Sequence, residues 1–170
     1  VIANNNCGSM GYDLPAAIGS AGASKKEVIC VTGDGSIMMN LQELQTIKHY
    51  NLPVKVVIFS NDGYNAIRQT SKNFFNGFNV GCDAESGVSF PSFEKVADTF
   101  GYGYKCCHSN GELDECLDWL FSQEGQVILE VEQRLDDPIT PKVMSRINDK
   151  GEFVTPSIED MYPFIDEEEY

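Results

Sequence analysis

The sequence predicts an α/β fold with three layers, in which a mostly parallel sheet has helices on both faces. Residues 28–32 and 54–60 form apolar runs rich in β-branched residues, as is typical of buried parallel strands. Residues 36–50 carry apolar side chains at helical spacing, and Asn51 and Pro53 end that helix. Strand, helix and strand in this order form a right-handed βαβ unit, so the ends of both strands meet at one edge of the sheet.

The remaining elements continue this alternation, which supports helices on both faces of a parallel sheet. Helices are predicted over residues 14–23, 93–100 and 110–122, and strands over residues 102–107 and 126–131. Pro15 suits the first turn of the helix that begins at Leu14.

Two segments are predicted to be less regular. Residues 63–72 read as a loop that leads into a short helix, and residues 73–91 as a long irregular segment of the kind that often carries function. The globular domain is predicted to span residues 1–135. Residues 136–170 are an acidic C-terminal extension, whose apolar residues indicate docking onto the domain or onto a partner subunit.

Composition excludes several classes of protein. A chain of 170 residues with 42% hydrophobic residues is long enough for one domain with a sizeable core. Its net charge of −14 argues against nucleic acid and anionic membrane as partners. No apolar stretch is long enough to span a bilayer and no signal peptide is visible, so we expect a cytoplasmic protein. The chain does not begin with Met, which suggests a piece of a longer protein.

The six cysteines are interpreted as free thiols in a reducing cytosol, with Cys30 as a core residue of the first strand. None forms a C-x-x-C pair, which makes zinc and iron–sulfur sites weak hypotheses.

The most informative pattern is a pair of turns that follow the first two strands. Residues 33–36 read Gly-Asp-Gly-Ser, and after the 25 residues numbered 36–60 the second turn reads Asn61-Asp62-Gly63. Asp34 and Asn61 therefore place two hard oxygen ligands at adjacent strand ends, which suits Mg2+. Gly35 and Ser36 open the following helix, whose N–H groups can bind a phosphate. Together these features predict a site for a diphosphate bridged to a divalent metal.

The same spacing resembles the diphosphate-binding domain of thiamine diphosphate (ThDP) enzymes, and more closely that of acetolactate synthase-like 2-keto-acid enzymes. Further support comes from residues 8–19, 39–44 and 92–97, and the resemblance runs from about Asn6 to the strand near Val131. A Gly-Asp-Gly turn alone would be weak, because turns use these residues everywhere.

The resemblance implies roles for further residues. The backbone carbonyl of Gly63 becomes a third metal ligand beside Asp34 and Asn61, while the Asp62 side chain is expected to point away from the diphosphate. Further cofactor-binding positions implied by the resemblance are Gly8, Ser9, Met10, Tyr64 and Asn65. Among these, the Gly8 carbonyl would accept a hydrogen bond from the cofactor's amino group, Met10 would support its bent shape, and Tyr64 could equally be a packing residue.

The resemblance also implies a function, which is decarboxylation or carboligation of a small 2-keto acid with ThDP and Mg2+. The glutamate that activates the cofactor lies on a separate pyrimidine-binding domain in such enzymes, and no segment here matches it. We therefore expect a C-terminal domain that is catalytically incomplete alone, with its site at the interface of a homodimer or tetramer. Whether the full-length protein also binds FAD stays open at this point, and no FAD site is expected in this chain.

Other interpretations remain open at this point. The chain could be the complete β subunit of a split sulfopyruvate or phosphonopyruvate-type decarboxylase, or a non-catalytic interaction domain. A Rossmann-type nucleotide domain would require G-x-G-x-x-G after the first strand, which residues 33–38 do not provide. Glu43 and His49 are interpreted as structural, and Arg68 as solvated or ion-paired in preference to a contact with the substrate carboxylate.

Overall fold

The computed structural model describes residues 1–4, 7–134, 140–148, 150–155 and 157–163. Its main sheet has four parallel strands: β1 (Val28–Gly33), β2 (Val54–Ser60), β3 (Gly103–Cys107) and β4 (Val127–Glu132). The strand order is β1-β2-β4-β3, so β1 and β3 form the two edges of this sheet. All four strands lie at positions predicted from the apolar runs, within one residue at either end.

Six α-helices are described in the same part of the chain: α1 (Asp13–Ser24), α2 (Asp34–Ile37), α3 (Glu43–His49), α4 (Asn65–Phe74), α5 (Phe93–Phe100) and α6 (Leu113–Ser122). Short 3-10 turns over Met38–Asn40 and Asn110–Glu112 complete the set. The described residues contain no helix with the length and apolar character needed to cross a membrane.

The hydrophobic core lies on both faces of the sheet. On one face, α1, α3 and α5 contribute Leu14, Ile47 and Phe93 to a large buried cluster that includes strand residues such as Val56. On the other face, α6 contributes Cys116 and Leu120 to a smaller cluster with Val57 and Leu129. This arrangement confirms the predicted three-layer α/β fold.

The predicted continuous helix over residues 36–50 is wrong. Helical structure begins earlier, at Asp34, and the 3-10 turn at Met38–Asn40 separates α2 from α3. Asn40 in this turn donates a hydrogen bond of 2.7 Å from Nδ2 to the carbonyl oxygen of Gly11. Gly11 has a φ of +80°, and a Cβ there would lie 2.5 Å from the Cβ of Met39. The turn therefore contacts a segment that is distant in sequence, which periodicity alone does not report.

The segment after β2 is more ordered than its composition suggested. Helix α4 continues to Phe74, beyond the predicted limit of 72, and residues 75–92 then form turns without helix or strand. Within these turns the Asp83 carboxylate accepts hydrogen bonds from the N–H and the hydroxyl of Ser86, at 2.9 and 2.5 Å. These hydrogen bonds hold the pKa of Asp83 below its usual value. Local side-chain bonding of this kind stabilises a loop that lacks secondary structure.

Residues 137–170 form a second compact unit. It contains a short antiparallel pair, β5 (Arg146–Ile147) and β6 (Phe153–Val154), which the sequence analysis did not predict. An isolated bridge joins Lys142 to Tyr162, and Arg146 forms an ion pair of 3.2 Å with Asp160. Docking of this unit onto the domain or a partner stays a prediction.

All six cysteines are free thiols, and Cys30 is a buried residue of β1, as predicted. Burial, with a smaller effect from the charge of Asp13, raises the pKa of the Cys30 thiol from 9.0 to about 12. The pKa of the Cys30 thiol is thus higher in the folded than in the unfolded chain, so folding favours the neutral thiol. This contribution to the free energy of unfolding is complete below pH 9.0 and is lost as the pH rises toward 12.

A Cys30→Val variant is therefore expected to lose less stability than the unmodified chain when the pH is raised between those two values. Valine keeps an apolar side chain of similar size in the strand but has no proton to lose. Denaturant unfolding at neutral and at alkaline pH measures the difference. Equal losses of unfolding free energy in both proteins would contradict the assignment.

Candidate functional site

The two turns singled out in the sequence meet at the carboxyl edge of the sheet. Strands β1 and β2 are parallel neighbours with Gly33 opposite Phe59, so the residues that follow them are adjacent. The Asp34 carboxylate joins the turns directly: Oδ2 accepts the backbone N–H of Asn61 at 2.8 Å, and Oδ1 accepts that of Gly35 at 2.7 Å. Asp34 is only 3% exposed, so a buried carboxylate is held beside Asn61 by backbone donors.

Ser36 links this edge to the loop before α1. Its hydroxyl accepts the N–H of Gly11 at 3.0 Å and donates to Oδ2 of Asp13 at 2.5 Å. The same Asp13 oxygen accepts the hydroxyl of Thr32, and Oδ1 accepts the N–H of Leu14. Sequence reasoning missed Asp13 as an organising residue. The available signal was its position at the start of α1, where carboxylates commonly bond to backbone N–H groups.

Gly35 and Gly63 lie where a side chain has no room. A Cβ at Gly35 would collide with the ring of Tyr64, and a Cβ at Gly63 would collide with the carbonyl oxygen of Cys82. The N–H of Tyr64 donates to that Cys82 oxygen at 2.8 Å, so the irregular segment 75–92 contacts the second turn here. Tyr64 also makes an edge-on contact with Phe90, with ring centroids 6.0 Å apart. Tyr64 therefore packs over the first turn, which is the structural role the sequence left open.

Arg68 lies against the second turn, a position that the sequence analysis did not foresee. Its Nη2 donates to the backbone oxygen of Asn61 at 3.0 Å and to the side-chain Oδ1 of Asn61 at 3.1 Å. Its Nη1 donates to the backbone oxygen of Asp62 at 3.5 Å. A guanidinium group thus contacts the oxygens of the turn that was predicted to ligate a cation.

A cleft of about 800 Å³ opens beside these turns. Four residues that the sequence or the resemblance singled out line this cleft: Gly8, Ser9, Ser36 and Asn61. Gly8 has a φ of +56°, a backbone conformation that favours glycine. Met10 follows on the same loop and is 45% exposed. Asn65 is the first residue of α4, and its Oδ1 accepts the side chain of Gln69 at 3.4 Å.

The remaining polar residues discussed from sequence lie outside this cleft. Asp62 is exposed and lines a second, smaller cleft with Glu130 and Glu132. Glu43 begins α3, and His49 is exposed with its ring 4.8 Å from that of Tyr50. These positions agree with the structural roles expected of Glu43 and His49.

Comparison with known proteins gives a consistent assignment. A family model described as thiamine pyrophosphate enzyme, C-terminal TPP binding domain, matches residues 1–131. The acetolactate synthase large subunit of Porphyra purpurea is 35% identical over 143 residues, covering 84% of this chain and 24% of that protein. The acetolactate synthase isozyme 2 large subunit of Escherichia coli (strain K12) is 33% identical over 131 residues, covering 76% and 23%.

Among solved structures, the thiamine diphosphate-dependent 4-hydroxybenzoylformate decarboxylase of Rhodococcus jostii RHA1 is similar, with a TM-score of 0.66 and 28% identity. The similarity covers 76% of this chain and 24% of that one, so the chain spans about a quarter of the length of the relatives that it matches. With a family match over most of its length and the paired turns in place, the chain belongs to the thiamine pyrophosphate enzyme family as a C-terminal TPP-binding domain of the acetolactate synthase-like type.

Proposed function

We propose that this chain binds the diphosphate of ThDP through Mg2+, with the Asp34 carboxylate, the Asn61 side-chain oxygen and the Gly63 carbonyl as protein ligands. The observation that carries the proposal is the hydrogen bond between Oδ2 of Asp34 and the N–H of Asn61, because it holds the two turns together. Carboxylate, amide and carbonyl oxygens are the donors that a hard cation prefers.

The residues at this edge fit such a group in two respects. At Gly35 and Gly63 the Tyr64 ring and the Cys82 carbonyl oxygen fill the space of a side chain, so close packing of protein atoms holds the backbone of both turns in place. The buried Asp34 carboxylate already accepts two backbone N–H groups, and a divalent cation would compensate its remaining negative charge. Arg68 supplies a positive partner for the same turn and would have to yield Oδ1 of Asn61 to the cation.

The other cofactor contacts are proposed along the large cleft. Gly35 and Ser36 lie in the first turn of α2, where backbone N–H groups can face phosphate oxygens. Gly8, Ser9 and Met10 belong to the loop at the cleft, which suits contacts with the organic part of the cofactor. Tyr64 and Asn65 complete the set, with Tyr64 acting by packing against Gly35.

For the complete protein we propose a 2-keto-acid decarboxylase or carboligase of the acetolactate synthase-like type, in which ThDP supplies the electron sink for decarboxylation. Its relatives are named acetolactate synthase large subunits and a decarboxylase, and each is about four times as long as the matched region. A pyrimidine-binding domain of the same or another subunit would provide the activating glutamate. A homodimer or tetramer in the cytoplasm is the expected assembly.

Calorimetric titration of ThDP tests this proposal, first with Mg2+ and then with the cation removed by EDTA. We expect binding that requires Mg2+ and that returns when Mg2+ is added back. The titration is made on this chain and on the complete polypeptide that contains it, because the isolated chain supplies only half of the cofactor's surroundings. Failure of the complete polypeptide to bind ThDP in the presence of Mg2+ would overturn the proposal.

A further inference from the structure

A second group of ligating side chains lies at the ends of β3 and β4. Glu132 in this group pairs with Ser60, the residue before Asn61, so the group adjoins the second turn but includes none of its residues. Cys106 pairs with Glu130 in the β3–β4 register, and Cys107 with Val131. Side chains two residues apart on a strand share a face, so Cys106 and His108 lie on the same side as Glu130 and Glu132. Neighbouring parallel strands thereby bring a thiol, an imidazole and a carboxylate to one corner of the sheet.

The distances between these ligand atoms are close to those of a metal site. Sγ of Cys106 lies 3.6 Å from Nδ1 of His108, and Nδ1 lies 2.9 Å from Oε2 of Glu132. The three atoms all lie within 4.8 Å of one another. A tetrahedral zinc ion with bonds of about 2.0–2.3 Å holds its ligand atoms about 3.3–3.6 Å apart. Side-chain rotations that move the three ligand atoms by about 1–2 Å would therefore bring them to these separations, and the backbone of the strands would not have to move.

The surroundings favour a cation. The backbone N–H of His108 is held by a carboxylate oxygen of Glu112 at 3.0 Å, which fixes the residue at the strand end. Glu130 lies on the same face, where it accepts the hydroxyl of Tyr104 at 2.6 Å. Glu130 and Glu132 also line the small acidic cleft of about 290 Å³ that they share with Asp62. The carboxylates of Glu112, Glu130 and Glu132 near one thiol and one imidazole give the corner an excess of negative charge.

We propose that Cys106, His108 and Glu132 form a binding site for a thiolate-preferring divalent transition metal, of which zinc is the fitting example. One sulfur, one nitrogen and one oxygen ligand leave a fourth position for water. On binding, the Cys106 thiol loses its proton to solvent, and Nδ1 of His108 gives up its proton so that the ring proton remains on Nε2. The metal then takes the place of the hydrogen bond between His108 and Glu132. The metal joins the edge strand β3 to β4 and stabilises that edge of the sheet.

This site goes beyond the proposed function and differs from it in chemistry. The turns at Asp34 and Asn61 offer oxygen ligands alone, which suit Mg2+, whereas the β3–β4 corner offers sulfur and nitrogen. None of the three residues belongs to the paired turns, and their sulfur and nitrogen ligands distinguish the corner from the oxygen ligands near Asp34. Because Asn61 and Glu132 line the same small cleft, Cys106 and Asp34 variants are compared to assign a bound metal to one site.

Titration with Co2+ under reducing conditions tests the proposal, because thiolate ligation gives cobalt a charge-transfer absorption that oxygen ligands do not produce. We expect one equivalent of Co2+ to generate this band and one equivalent of Zn2+ to abolish it. Cys106→Ser should lose the band, and His108→Gln and Glu132→Gln should each weaken zinc binding by about tenfold or more. Zinc should also raise the thermal unfolding midpoint of the unmodified chain but not that of Cys106→Ser.

Matched controls are available in the chain. His49 is the other histidine of the sequence and is exposed, and Cys7 is an exposed free thiol, so His49→Gln and Cys7→Ser should bind zinc as the unmodified chain does. Circular dichroism in EDTA checks that each variant is folded. Absence of the charge-transfer band, or its persistence in Cys106→Ser, would overturn the proposal. Loss of zinc binding in Asp34→Ala but not in Cys106→Ser would instead place the metal at the paired turns.

Discussion

Replacing Asp34 with alanine is expected to abolish Mg2+-dependent binding of ThDP, with a loss of affinity greater than about 100-fold. The substitution removes a proposed metal ligand and also the acceptor for the N–H groups of Gly35 and Asn61. Leaving these two buried donors without a partner costs about 1–3 kcal/mol each. Calorimetry of ThDP binding, beside denaturant unfolding of the same variant, separates the loss of the ligand from the loss of stability.

Two further variants make this prediction specific. Asp34→Asn keeps the shape and one acceptor oxygen but removes the charge, so it should stay folded better than the alanine variant and still bind Mg2+ poorly. Asp62→Asn removes the charge of the neighbouring exposed side chain and keeps a residue type that tolerates the φ of +54° at this position. It should leave ThDP binding within about threefold of the unmodified chain. Unchanged binding in a folded Asp34→Asn protein would rule out Asp34 as a charged metal ligand.

Replacing Gly63 with alanine is expected to lower the free energy of unfolding by about 3 kcal/mol. The added Cβ would overlap the backbone oxygen of Cys82 and lie 2.5 Å from Nη1 of Arg68. The Cys82 oxygen also accepts the N–H of Tyr64, so the second turn and the irregular segment would have to separate. Denaturant unfolding of Gly63→Ala measures the loss, and ThDP titration measures the accompanying damage to the site.

Gly19→Ala is the matched control, since Gly19 lies within α1 and a Cβ there meets no atom within 4 Å. Alanine has the higher helix propensity, so this variant should gain about 0.5–1 kcal/mol. A Gly63→Ala protein as stable as the control would show that the contact with Cys82 is dispensable.

The sheet could be predicted from sequence because its signals are local. Residues 56–59 are four apolar residues in succession without alternation, a pattern typical of a strand buried on both faces. The helix after β1 was predicted as one continuous helix, whereas the structure has a 3-10 turn at Met38–Asn40. This turn contacts Gly11, 29 positions before Asn40, and such a contact leaves no periodic signal. The β5–β6 pair was missed for a related reason, since two-residue strands carry almost no periodic signal.

For the site, spacing located the turns but not the side chains that hold them. Asp34 and Asn61 were found because each follows a strand directly, and parallel strands bring such positions together. Asp13 acts through hydrogen bonds to Thr32 and Ser36, which are distant in sequence, so no local pattern identified it. Arg68 reaches the second turn because α4 begins at Asn65 and carries it back toward Asn61. The direction of α4 after the turn depends on tertiary packing, which no local sequence pattern reports.

The position of Arg68 has a consequence for how the chain behaves between rounds of cofactor loading. The guanidinium group of Arg68 belongs to the chain itself and donates to oxygens of the second turn. Its hydrogen bonds to Asn61 therefore persist when small cations are stripped away, and the turn keeps both its shape and a positive neighbour. In the proposed metal site, loss of Mg2+ would return Oδ1 of Asn61 to Arg68, so we expect that a protein stored in a chelator can be reloaded without refolding.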